Sequence, residues 1–166
     1  MESLVVWFTE TLGGYISREL VIFIISMIPI LELRGGLVAA SLLKVPITTA
    51  VPICIIGNVI PVPFILLFIR QVFKWFRNVP VIGKIIGKLE NRAMGKSDSI
   101  RKYEFWGLVL FVGVPLPGTG AWTGSLIAAL LEVDFKKAIL AVLIGIAMAT
   151  VIMSIVSYGL LGAIVS

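Results

Sequence analysis

The chain has 166 residues, of which 59% are hydrophobic and 14% charged, with a mean hydropathy of +1.10; a soluble domain could not cover that much apolar surface with polar residues. There is no histidine and one cysteine, Cys54, which excludes an intrachain disulfide, a histidine or thiolate-cluster metal site and a histidine-ligated haem, so neither metal nor cofactor is expected. The net charge of +5 is concentrated in residues 70–104, which hold nine basic and three acidic side chains; between apolar stretches this marks the cytoplasmic membrane face rather than a nucleic-acid site.

Residues 1–18 interleave Val5, Trp7, Phe8, Leu12 and Tyr15 with Glu2, Glu10 and Arg18, the pattern of a short helix lying at the membrane interface. The apolar run from Leu20 to Leu31 would make about 18 Å of helix, too short for a hydrocarbon core of about 30 Å. A break is expected at Pro29 and at Gly35-Gly36, with Glu32 and Arg34 between two apolar stretches, and a second short stretch continues from Gly36 to Val45. Residues 46–69 are long enough to span and should bend, given Pro52, Gly57, Pro61 and Pro63. In the basic segment, Ile82, Ile85, Ile86 and Leu89 recur at helical spacing beside Lys84, Lys88 and Arg92, which predicts a second interfacial amphipathic helix.

The same order of parts then returns. A short apolar stretch at 105–114 meets a break beginning at Pro115, a second short stretch covers 121–133, and a long apolar helix runs from about Ala138 to the C-terminus. A shift of 88 positions superimposes Phe23 on Phe111, Pro29 on Pro117, Gly36 on Gly124 and Gly57 on Gly145. The chain therefore reads as one all-α integral membrane domain over 1–166: repeat one at about 19–69, a cytoplasmic basic segment at 70–104, and repeat two at about 105–166. No stretch alternates polar and apolar residues as a transmembrane β-barrel requires.

Each unit is either a re-entrant hairpin followed by one span, or two full spans. The first gives inverted copies and leaves residues 70–104 and Lys136-Lys137 all in the cytoplasm, whereas the second gives parallel copies and puts those lysines outside. The inverted arrangement is the better fit, in the cytoplasmic membrane.

Irregular backbone at membrane depth is tolerated only where protein or a water-filled cavity satisfies it, so matched breaks point to a central site. Candidate substrate- or ion-coupling residues are Glu32, Arg34, Asn58, Pro117, Gly118, Thr119, Gly120, Trp122 and Thr123, with Pro29, Gly35, Gly36, Pro115 and Gly124 as the hairpin breaks. Glu32 is suited to carry a proton or cation and Arg34 to attract an anionic group, charges being costly in lipid unless paired or functional. The alternative is that both snorkel to headgroups and anchor a loop. Under the shift, their counterparts are Gly120 and Trp122, so the pair is not duplicated, while Thr119, Thr123 and the helix N-terminus near Gly120 offer hydroxyl and backbone donors. Gly36 and Gly124 stand four residues before Ala40 and Ala128, a spacing that favours close helix packing. Asn58 is either an interhelical hydrogen-bonding group or a cavity residue.

At Pro29-Ile30-Leu31-Glu32-Leu33-Arg34-Gly35-Gly36 and at Val114-Pro115-Leu116-Pro117-Gly118-Thr119-Gly120-Ala121-Trp122-Thr123-Gly124 the chain resembles the small multidrug export family, over nearly its whole length. That family is similar to the larger DedA, or VTT, group. The resemblance implies paired re-entrant hairpins, inverted symmetry and translocation of a lipid or polyprenyl phosphate, and it points to Glu32, Arg34 and the loop from Pro117 to Gly124. The second-half arginine motif of the DedA group is missing here.

The function expected is proton- or sodium-coupled transport of an amphipathic or lipid-phosphate substrate by alternating access, or lipid flipping, with membrane lipids and a second copy of the chain as further partners and no catalytic residue. Two rivals are a non-transporting membrane scaffold and an enzyme resembling polyprenyl-diphosphate phosphatases. For the enzyme, the loop lacks the serine and arginine that would act on phosphate.

Overall fold

The computed structural model describes residues 17–76, 97–116 and 118–160, and every described element is helical. The expectations for residues 1–16, for the amphipathic stretch around Ile82 to Arg92 and for Pro117 lie outside the described residues. Helix α1 spans Arg18–Met27 and starts on Ser17, whose hydroxyl accepts from the Leu20 amide at 3.3 Å. It stops where Ile28 turns extended ahead of Pro29. Helix α2, Glu32–Leu42, follows a tight turn in which the Glu32 amide donates to the Ile28 carbonyl at 2.9 Å. The two form a hairpin whose open ends meet: the Arg18 guanidinium donates to the Leu43 carbonyl at 3.2 Å.

Helices α3, Ile47–Val59, and α4, Pro61–Phe76, are separated by a turn at Ile60, placed before the residue that has no amide hydrogen to offer. Helix α5, Ser97–Gly113, leads into the second break, and α6, Ala121–Leu130, and α7, Phe135–Ser154, follow, with a π-helical turn at Ile155–Leu160. Two stretches are long and apolar enough to cross a bilayer, Ile47–Ile69 with 23 residues and Phe135–Gly159 with 25. Less than half of each is buried within the protein. Ile56, Phe64, Phe68, Leu140, Val151 and Ile155 are exposed along them, which suits a lipid environment and not water.

The backbone repeats itself at the 88-residue offset. Lys44 and Glu132 both take a left-handed conformation, at φ 55° and 56°. The Val45 amide reaches the Ala40 carbonyl at 2.9 Å, as Val133 reaches Ala128 at 3.0 Å, so both second arms end in the same Schellman-type cap. Ile47 and Phe135 then begin the long helices.

Gly35, Gly36 and Gly124 are not breaks. The structure places the first two inside α2 and the third inside α6. Their reason is contact: a Cβ on Gly36 would stand 2.9 Å from the Cys54 sulfur, and one on Gly124 2.5 Å from a Val112 methyl. The first break is instead confined to Ile28–Leu31.

Two apolar clusters make the core, and each mixes the halves of the chain. Ala149 and Met153 of α7 join the cluster of α1, α2 and α3, while Val62 and Leu66 of α4 join that of α5, α6 and α7. Each long helix thus packs its far end against the opposite hairpin. The Tyr158 hydroxyl donates to the Val45 carbonyl at 2.8 Å, and the Ser41 hydroxyl to the Ser157 carbonyl at 2.7 Å.

Candidate functional site

The two breaks meet. Helix α6 begins after Gly120, which has no side chain to cap the helix, so its first amides need an acceptor from elsewhere. Glu32, from the other half, supplies it: Oε2 accepts from the Ala121 amide and Oε1 from the Trp122 amide, both at 3.0 Å. Glu32 is 4% exposed, and its carboxyl lies at the positive end of the α6 dipole. To reach it, Glu32 adopts φ 51°, a conformation that costs a side-chain-bearing residue about 1–2 kcal/mol.

Arg34, one turn-edge further along α2, reaches the other side of the same break. Its guanidinium donates to the Leu116 carbonyl, to the Val114 carbonyl at 3.4 Å and to the Thr119 hydroxyl at 2.9 Å. Thr119 also accepts from the Leu116 amide at 3.3 Å and has the Val114 and Leu116 carbonyls at 2.9 Å for its own proton. These carbonyls, just beyond the end of α5, also accept backbone amides of their own loop, and the Arg34 fork adds donors that reach several acceptors at once.

The exchange is reciprocal. Trp122, the counterpart of Arg34 under the 88-residue shift, donates its indole N–H to the carbonyl of Met27 at 3.1 Å, at the end of α1. Each half thus sends one donor from the same position into the other half's break or the helix end beside it.

Of the residues expected from sequence, Glu32, Arg34, Thr119, Gly120 and Trp122 come together here. Gly118 is exposed at φ 80° on the outer part of the loop, and Pro115 is half-buried beside it. Thr123 is half-buried in α6. Asn58 is 2% exposed in α3, and its Oδ1 has no hydrogen-bond partner. Sequence reading anticipated backbone donors at the helix start after Gly120 but not that Glu32 would take them, and it did not reach the carbonyls of Met27, Val114 and Leu116, which carry no residue-type signal.

A family model described as "Putative small multi-drug export protein" matches residues 32–152, most of the chain. The chain belongs to the small multi-drug export protein family. No curated protein and no solved structure matches it. The stretch shared with the export family opens on Glu32 and closes inside α7, so it contains both members of the Glu32–α6 contact and both candidate spans in large part. The family's description as an export family and two helices long and apolar enough to cross a bilayer both point to a membrane protein.

Proposed function

We propose that this chain is a secondary transporter for small amphipathic molecules, in which the contact of Glu32 and Arg34 with the second break is the gate between two re-entrant hairpins. The observation that carries the reading is the pair of amide bonds from α6 to the Glu32 carboxyl, made across two halves of one chain. The hairpins enter from opposite faces: the bonded ends of α1 and α2 support re-entry, and the reciprocal donors Arg34 and Trp122 are the pattern of two copies related by a two-fold axis. The two helix tips then meet near mid-membrane, and opening one side means separating them.

Glu32 is the coupling residue. Taking up a proton, it can no longer accept from both amides with two carboxylate oxygens, and a cation drawn to it competes with the helix N-terminus. Either event loosens the contact and exposes the site. A lipid-phosphate substrate draws less support, since the donors that would grip a phosphate, Arg34 and the α6 amides, are all engaged by the chain itself. That same engagement favours a second reading, a membrane scaffold in which the contact is only a structural tie.

Proteoliposomes holding the purified chain, loaded with an amphipathic fluorescent cation or a phosphate-headed lipid probe and given a pH or sodium gradient, decide between them. Transport requires gradient-dependent movement that Glu32→Gln uncouples. A chain that moves neither probe under any gradient is a scaffold.

A further inference from the structure

Between α5 and α6 lies a half-open cavity of about 310 Å³, lined by Leu108, Phe111, Ile127 and Leu131 on its apolar walls and by Tyr103 and Glu104 at one end. It is separate from the Glu32 contact, which sits at the opposite end of α6. Its volume is within the range of small-molecule sites, about 300–1,000 Å³. Two features set its chemistry. Glu104 is its one acidic lining residue, while Lys136 and Lys137 of α7 are exposed and do not line it. Tyr103 and Phe111 line it from the same helix as Glu104, a combination that favours a cation with an apolar body over an anion.

A third feature concerns the cavity's wall. Gly107 lies on the lining, in the interior of α5, and a Cβ built there meets nothing within 4 Å, whereas Gly113 of the same helix has no such room. Gly36, Gly57, Gly124 and Gly145 are places of close approach within their helices, whereas the exposed Gly107 leaves the α5 surface open beside the cavity.

We infer that the α5–α6 cavity binds a lipophilic organic cation, held by the Glu104 carboxyl and the aromatic wall, and is the place where substrate is taken up before the Glu32 gate opens. The uptake role rests on the proposed transport function; the binding does not. By the positive-inside rule the mouth at Tyr103 and Glu104, at the end of the basic segment, faces the cytoplasm, as an exporter requires.

The test is equilibrium binding of tetraphenylphosphonium to the full chain in nanodiscs, beside tetraphenylborate, which has the same shape and the opposite charge. The wild type should bind the cation saturably and the borate at least tenfold more weakly. Glu104→Gln should weaken cation binding several-fold. Gly107→Leu should abolish it while the melting temperature is kept or raised, since leucine fills open space and favours a helix over glycine. Equal binding of both ions, blocked by Gly107→Leu, would make this an uncharged slot for lipid tails and overturn the cation assignment; cation binding indifferent to both variants, or no binding, would overturn the site. Binding without transport in the same vesicles would instead refute the transport function and leave the site standing.

Discussion

Glu32 and Gly120 occupy equivalent positions 88 residues apart, both with positive φ, and the carboxyl of the first fills the space a side chain on the second would need. A Cβ on Gly120 would fall 2.0 Å from Glu32 Oε2 and 2.7 Å from its Cδ. The two halves cannot both carry an acid here, and this accounts for the unequal motifs of two otherwise matching breaks.

Gly120→Ala should therefore lower stability by about 2–4 kcal/mol, through backbone strain at φ 138° and displacement of a buried, bonded carboxyl. Gly118→Ala, where φ is 80° and nothing stands within 4 Å, should cost only the strain, about 1 kcal/mol. Thermal unfolding of the two variants in detergent measures the difference, and equal losses would mean that the Glu32 carboxyl does not hold that space.

Glu32→Ala leaves two amides of α6 without their acceptor at about 1–3 kcal/mol each, so a loss of roughly 2–6 kcal/mol is expected. Glu32→Gln should fall between, because an amide side chain offers one acceptor where two are used. Hydrogen exchange at Ala121 and Trp122 should quicken in both variants. Unchanged protection of these amides would place the acceptor elsewhere.

Arg34→Lys should destabilise by about 1–2 kcal/mol even though the charge is kept, since an ammonium cannot span the acceptors that the planar fork reaches. Combined with Thr119→Val, the losses should be non-additive by at least about 0.5 kcal/mol, as expected of groups in one network. A double-mutant cycle from chemical unfolding supplies the number, and strict additivity would separate the two residues.

Single cysteines placed at Arg18 and Lys44 in a chain with Cys54 replaced should react with a membrane-impermeant thiol reagent from the same face, because the guanidinium of Arg18 bonds the carbonyl next to Lys44. Labelling from opposite faces would make α1 and α2 the two halves of a single crossing and remove the proposed gate.

Helical glycines give a further check on packing. Gly145→Ala brings a Cβ to 2.6 Å from Val112 Cβ and 3.0 Å from the Val109 carbonyl, so a loss of about 1–3 kcal/mol is expected. Melting temperatures compared with the wild type read it directly, and a neutral result would require α5 and α7 to part more easily than their shared cluster allows.

Much of the architecture was legible because it depends on local chemistry. Mean hydropathy together with the absence of polar/apolar alternation required helices in lipid, and the pairing of Pro29 with Pro117 and of Gly57 with Gly145 marked a repeating unit that the backbone at Lys44 and Glu132 repeats. Gly35-Gly36 offered two readings, a loosened chain or, from the spacing of Gly36 to Ala40, close helix packing; the nearness of Ser26 and Cys54 to Gly36 settles it as packing.

By itself the sequence determined the order of apolar helices and which solvent they accept, since prolines and apolar runs act within a few residues, though it set the start of α2 several residues late. It also singled out Glu32 and Arg34, as charges that lipid will not tolerate unpaired. Which groups would answer them was decided only by the tertiary structure. Their partners are backbone amides and carbonyls some eighty to ninety residues away, and such groups are the same in every residue until the fold leaves particular ones unpaired at the helix ends.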